Sequence, residues 1–289
     1  MQHRTHTKRH KRTAMKLTVI TICLNNVDEL RRTVQSVTTQ TPCDFEYVVI
    51  DGGSTDGCRE LIASTSGITR WVSEPDTGIY NAMNKGVGLA RGEYVLFLNS
   101  GDTLAAPDVL AHAVPRLGEA DLYTGHYLEC HHGKTQLRQS PNRLTARFLL
   151  EGTLMHQATF IRAALLREMP YNEKNKIVSD WEFFIRQWLL GHCSYALLDM
   201  VVSVFYVGGI STNKKTVIQG EAERQAVMDN LLPRRVQEAI LRSNDYAYDK
   251  NVEWKIYRAL ALPPLKRDLK LLRNAFSFLL RDLFNRHQK

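Results

Sequence analysis

The chain has 289 residues, 44% of them hydrophobic, which is enough for one large domain with a substantial core. Its net charge of +8 sits at the two ends: residues 1–16 carry six Lys/Arg and no acid, residues 255–289 carry nine Lys/Arg against two Asp, and the middle is left at about −5. A mildly acidic body argues against a nucleic-acid-binding core, and five scattered cysteines without a CxxC pair argue against a disulfide framework and for a reducing compartment.

Residues 1–14 are basic and histidine-rich and are expected to form a disordered tail. No apolar segment follows them, so no signal peptide is expected. No run of ~18 uncharged apolar residues occurs, so no membrane span is expected either. From Leu17 strands alternate with helices. Val19–Cys23 is a β-branched run suited to a buried parallel strand. Asn26 and Glu29 have the spacing of a capping box, and Leu30, Val34 and Val37 follow at helical spacing. Phe45–Ile50 is a second strand, Thr69–Val72 a third and Tyr94–Leu98 a fourth. Helices are expected through Leu61-Ile62 and through Ile79, Met83 and Val87. Such alternation predicts an α/β fold with a parallel sheet. In these sheets ligands bind beyond the carboxyl ends of the strands. Three polar clusters stand there: Asn25-Asn26, Asp51 to Asp56, and Asn99 to Asp102.

After Pro107 the pattern loosens. Leu122–Cys130 and Thr135–Arg138 suggest a hairpin around His131–Lys134, and Cys130-His131-His132 reads better as its tip than as a zinc site. Ser179 and Glu182 repeat the capping-box spacing ahead of a helix to about Leu190. Ala196–Tyr206 reads as one or two strands. From Thr216 the chain reads as helical, with breaks at Pro233 and Pro263-Pro264. Leu265, Leu269, Leu272, Phe276, Leu279 and Leu280, interleaved with Lys and Arg, predict a basic amphipathic helix on an anionic membrane surface, although packing on the main domain is also open.

A carboxylate just past a buried strand, such as Asp102, suits a hard divalent cation bridging a diphosphate; the same Asn-Ser-Gly-Asp run also makes a plain turn. Asp51, at a strand end beside Gly52-Gly53, suits hydrogen bonds from a base or ribose. Glycines along the helix of residues 79–92 fit either close packing or ligand approach. Asp180 suits an acid at a helix N-terminus, and Trp181 suits the core.

Four segments in this order resemble a family 2 glycosyltransferase of the GT-A fold, in particular the branch building bacterial surface polysaccharides. They are Val19–Asn26, Asp51–Gly57, Glu74–Gly86 and Gly92–Asp102, and the resemblance covers roughly residues 16–210. It implies a Rossmann-like, mostly parallel sheet flanked by helices over residues 15–215, with a helical C-terminal extension over 216–289. It implies transfer, with inversion, of a sugar from a nucleotide-diphosphate donor, UDP-sugar first, to a hydroxyl of a glycan or lipid-linked acceptor. It places Thr21, Asn25, Asp51, Asp76, Lys85, Asn99, Ser100 and Asp102 at the donor, with Asp102 on Mn2+ or Mg2+. It places Asp180 as base, and His156, Trp181 and Glu182 at the acceptor. Gly208–Ser211 also recurs in such proteins. The family's Asp-x-Asp motif departs here, since Ser100 stands where the first acid is expected. That departure keeps open a non-catalytic nucleotide-binding or scaffold protein on the same fold. A sugar nucleotidyltransferase is a further alternative, but Leu24-Asn25-Asn26-Val27 follows the first strand in place of the Gly-rich, Arg-containing loop such enzymes need. The expected location is cytoplasmic, peripheral on the inner face of the membrane.

Overall fold

The computed structural model describes residues 15–191, 193–208 and 214–242. The expected tail at 1–14, Gly209–Ser211 and the amphipathic segment at 265–289 lie outside the described residues.

The first half is a repeated strand–helix unit. β1 (Leu17–Cys23), β2 (Phe45–Asp51), β3 (Arg70–Ser73) and β4 (Tyr94–Phe97) alternate with α1 (Val27–Thr38), α2 (Cys58–Ser64) and α3 (Ile79–Leu89). All pairings among these four strands are parallel, in the order β3-β2-β1-β4. β1 is buried along its whole length, as a central parallel strand must be. Its side chains alternate between the two faces. Ile20 and Ile22 join Val48, Ile50 and Met83 of α3 on one face, and Leu17 and Val19 join Leu30, Val34 and Val37 of α1 on the other. The helical spacing read from the sequence therefore buries the expected stripe of α1.

The second half changes character. It holds β5 (Thr103–Leu104), α4 (Val109–Ala113), β6 (Leu122–His131), β7 (Lys134–Arg138), α5 (Ala146–Glu151), β8 (Thr159–Arg162), α6 (Ala163–Glu168), α7 (Ser179–Leu189) and β9 (Tyr195–Tyr206). β8 runs antiparallel to β4 and to β6, while β6 and β9 are parallel. The sheet is therefore parallel through β4 and mixed beyond it. The β6–β7 hairpin turns at His132 and Gly133, both at positive φ, as expected for a tight tip. Cys130 is a ladder residue facing Thr135. Among the described residues no group of three His, Cys, Asp or Glu could hold a metal ion alone.

α8 (Lys214–Leu231) and α9 (Arg234–Arg242) break at Pro233. Val227, Met228, Leu231, Leu232 and Ile240 belong to the same core cluster as Phe97 and Phe183. Packing is thus continuous across the expected division at 215/216. Among the described residues no helix is long and apolar enough to cross a membrane.

The two capping boxes do not form. Asn26 and Val178 hold the N-cap positions of α1 and α7, and neither side chain caps. Asp56 accepts from the Val27 N–H instead (2.8 Å), and Ser179 is the first helical residue, its hydroxyl without a partner. α2 starts at Gly57 in the left-handed region, and Asp56 Oδ1 accepts from the Cys58 N–H (3.2 Å).

Candidate active site

The three polar clusters stand at the carboxyl ends of β1, β2 and β4; cross-loop hydrogen bonds tie the first two, and Thr33 of α1 holds the third. The Asn25 N–H donates to Ser54 Oγ (2.8 Å), and Asn25 Oδ1 accepts from the Thr55 N–H (2.9 Å). Asn25 sits at φ 49°, a conformation asparagine tolerates better than most residues. Asp51 is fully buried. Its carboxylate accepts from the Ser54 N–H and hydroxyl, from Ser73 Oγ (2.7 Å) and from the Cys23 thiol (3.6 Å). Burial, with Asp51 beside it, pushes the Cys23 thiol far up, so it stays protonated as that donor. Asp76 folds back over Gly52, where a Cβ would collide with its Oδ2, and its Oδ1 accepts from the Gly78 N–H (2.9 Å). Lys85 pins the same loop, pairing with Glu74 (2.8 Å) and donating to Pro75 O (3.0 Å). Asp51, Asp76, Asn25 and Lys85 therefore shape one wall. Thr21 does not join it. Its hydroxyl points into the α1-side core, bonded to Leu98 O (2.7 Å) and Tyr47 Oη (3.0 Å), because position 21 alternates with Ile20 and Ile22.

Asp102 is buried and poorly satisfied. Its nearest carboxylate donor is the Tyr206 N–H at 3.4 Å, from the end of β9. Burial pushes its carboxyl up to about 7, against the opposing pull of His156, that N–H and Arg32. Arg32 stacks on the Tyr206 ring (4.0 Å) and donates to Gly101 O (2.8 Å), so α1 holds the loop that carries Asp102. Ser100 Oγ and Asn99 Oδ1 are buried without partners. Two orphaned oxygens and an under-satisfied carboxylate are the donors a hard divalent cation takes.

The second carboxylate is Asp180, in the first turn of α7. Its Oδ2 lies 2.9 Å from His156 Nδ1, and its Oδ1 accepts from Tyr80 Oη at 2.9 Å. Burial opposes its ionisation, but His156 and the Tyr80 hydroxyl win and hold the carboxyl below the ordinary value. Burial likewise opposes charge on His156, and the Asp180 carboxylate overcomes it and raises the imidazole. His156 Nε2 lies 3.2 Å from Asn99 Nδ2, joining Asp180 to the loop of Asp102 through one imidazole. Rotating the Asn99 amide presents its oxygen to a charged His156, so Asn99 serves either protonation state.

Trp181 and Glu182 stand elsewhere. Trp181 is 2% exposed, donates to Leu149 O (2.6 Å) and lies under Arg224, so its faces belong to the core and not to an acceptor. Glu182 is buried, accepts from Asn172 (3.0 Å), Asn175 (2.7 Å) and Arg186 (2.7 Å), and fixes the loop leading into α7. Tyr80 is the partner of Asp180 that sequence reasoning missed. It lies inside the Glu74–Gly86 segment, but its role depends on a contact 100 residues away.

An α/β sheet with a polar crevice at its parallel strand ends, flanked by a buried acid and a second carboxylate, is the architecture of a GT-A nucleotide-sugar enzyme. The sequence profile described as glycosyl transferase family 2 matches residues 18–180, and the chain belongs to that family. It is a glycosyltransferase. An uncharacterized glycosyltransferase of Mycobacterium tuberculosis is 33% identical over 249 residues, 82% of this chain and 94% of its own length. A PGL/p-HBAD biosynthesis glycosyltransferase of Mycobacterium bovis (strain BCG) is 31% identical over 238 residues, 79% of this chain and 91% of its own. Among solved structures, S. aureus TarS in complex with UDP-GlcNAc superposes with a TM-score of 0.62 at 18% identity, over 88% of this chain and 78% of that one. The mannosyltransferase PcManGT from Pyrobaculum calidifontis, in complex with GDP-Man and Mn2+, superposes with a TM-score of 0.56 at 17% identity, over 92% and 81%. Both likenesses bear on the fold, and the fold is GT-A.

Proposed function

We propose that this glycosyltransferase transfers a sugar, with inversion, from a nucleotide-diphosphate sugar to a hydroxyl of a glycan or lipid-linked acceptor in bacterial surface polysaccharide or glycolipid synthesis. The observation that carries the reading is Asp180, an ionised carboxylate held by Tyr80 and His156 on the same crevice as the nucleotide-side loops. An acceptor hydroxyl reaching Asp180 gives up its proton to the carboxylate as its oxygen attacks the anomeric carbon. Tyr80 and His156 keep the carboxylate charged and aimed until then. A single displacement of this kind inverts configuration. Asn25, Asp51, Asp76 and Lys85 order the donor-side loops against which the nucleoside sits, and UDP is the first carrier to try. Asp102, with Ser100 and Asn99 beside it in the chain, would hold Mn2+ or Mg2+. Such a cation supplies charge stabilisation to the leaving diphosphate. With one carboxylate in this loop, its affinity depends on the donor's phosphates as further ligands. The relatives in glycolipid synthesis and the nucleotide-sugar complexes of the fold neighbours support this reading.

The test uses the full chain with UDP-, GDP- and dTDP-sugars, Mn2+ and a panel of glycoside acceptors. Asp180→Asn keeps the size of the carboxylate but removes its basicity, and its NH2 replaces one of the two oxygens that accept from Tyr80 and His156. Turnover is expected to fall ~10²–10⁴-fold, while stabilisation by the nucleotide alone persists. NMR of the product anomer reports inversion. Wild-type turnover in Asp180→Asn rules out the base, and retention rules out single displacement.

A further inference from the structure

A second concavity reaches Met155, the residue before His156. The β6–β7 hairpin, the segment after it and α5 enclose a cavity of about 590 Å³. Its walls include Tyr127, Leu137, Arg138, Phe148, Thr153 and Met155. None of Asn25, Asp51, Asp76, Lys85 or Asp102 lines it.

Two links connect this cavity to Asp180, which, like His156, does not itself line it. Met155 immediately precedes His156, whose ring is bonded to the carboxylate. Phe148 is on α5, and the next carbonyl, Leu149 O, accepts from Trp181, the neighbour of Asp180. Arg224 of α8 donates to Gly152 O (2.7 Å) at the end of α5 and stacks on Trp181, locking the same wall. The cavity thus shares its frame with the residues that hold Asp180.

Its chemistry is specific. Tyr127, Phe148, Met155 and Leu137 present apolar bodies, with Gln139, Ser140 and Thr153 as polar neighbours, and Leu137 is exposed. The Arg138 Nε is held at the rim by Glu129. Among the described residues lining the cavity there is no carboxylate, the group that most readily accepts from an array of sugar hydroxyls. A cavity of this volume accommodates a small organic group. We infer that this cavity is an aglycone subsite, which holds the apolar aglycone of an amphiphilic acceptor while the acceptor's hydroxyl reaches Asp180. The inference rests on Asp180 acting at the acceptor and goes beyond it by naming the acceptor class, a sugar or alcohol carried on a ring or alkyl chain.

A binding experiment that needs no turnover separates the two. Phenyl β-glucoside and methyl β-glucoside are titrated into the full chain with UDP already bound, and affinities are read by NMR. The phenyl compound is expected to bind about tenfold more tightly, as burial of one ring predicts. That preference is expected to fall several-fold in Phe148→Ala and in Leu137→Ser. Leu137 is exposed, so its variant tests the cavity without endangering the fold. Leu241→Ser, an equally exposed leucine on α9, controls for non-specific adsorption and is expected to keep the preference. Equal binding of the two glucosides, or a phenyl preference unchanged in both cavity variants, overturns the subsite whatever the transfer assay gives. A preference that depends on Phe148 and Leu137, found alongside wild-type turnover in Asp180→Asn, overturns the base and leaves the apolar subsite standing.

Discussion

Asp51 ends one strand that flanks β1 and Asp102 follows the other, and both are buried, yet their surroundings differ. Asp51 receives two hydroxyls, a backbone N–H and a thiol. Asp102 has a single N–H at 3.4 Å and sits among orphaned oxygens. A buried carboxylate with its hydrogen bonds filled stabilises the fold, and one without them costs stability. The first is a fastener between the β1, β2 and β3 loops. The second is kept at a cost to the unliganded protein, which is intelligible if a cation relieves it. The two acids of one crevice thus divide the work between holding the loops and meeting the ligand.

The comparison breaks hardest at Asp51. Asp51→Ala leaves the Ser54 N–H and two hydroxyls without their acceptor in a closed site. A loss of about 3 kcal/mol is expected, or roughly 10 °C in Tm. Thermal unfolding by circular dichroism checks it, and nucleotide stabilisation is expected to vanish with the loop order. A variant as stable as wild type means that Asp51 is no fastener.

Asp102→Asn is expected to move stability the other way. The folded value of Asp102, about 7, lies above its ordinary 3.8. Between those values the folded chain keeps a proton that the unfolded chain has lost. Its contribution is therefore fully present below pH ~4 and is lost as pH rises through 7. Each pH unit in that window is about 1.4 kcal/mol at most, and relaxation reduces the sum. In EDTA the Asn variant is expected to gain roughly 1–3 kcal/mol over wild type at pH 8 and little at pH 4.5. With UDP and Mn2+ at pH 8 the order is expected to reverse. A stability difference that does not change with pH removes the argument that Asp102 is strained by burial.

The same contrast explains what was legible in the sequence. The parallel half repeats a local unit, so strand ends and polar clusters could be placed from β-branched runs and turn residues. Asp102 was placed that way, and Asp180 entered by resemblance alone. The rest depended on contacts between distant segments. Nothing local says that Thr21 faces Tyr47, or that Trp181 reaches the carbonyl of Leu149. Glu182 has capping-box spacing, but Asn172 and Asn175 outcompete the helix end for its carboxylate. Beyond β4 the chain adds antiparallel β8 before returning to parallel pairing, a choice no periodicity encodes. Tyr80 carried a visible clue, a large polar aromatic on the apolar face of α3, where a phenol needs a partner.

The smallest effects sharpen the reading of α3, whose glycines fit either tight packing or ligand approach. The structure divides them. A Cβ on Gly86 would lie 2.5 Å from Ile20 Cγ2 and 3.5 Å from Ile50 Cγ1, whereas one on Gly88 would meet nothing within 4 Å. Gly86 is therefore where α3 rests on β1 and β2, directly beneath the donor-side loops. Gly86→Ala overpacks that contact and is expected to cost about 1–3 kcal/mol. Because Ile20 lies in the centre of β1, relaxation would have to pass through the strand rather than a flexible side chain. Gly88→Ala gains helix propensity without a clash and is expected to stabilise by about 0.5–1 kcal/mol. Chemical denaturation of the two variants side by side checks both signs. A stabilised Gly86→Ala would show that α3 stands off the sheet. A destabilised Gly88→Ala would point to something beyond helix propensity acting at that position.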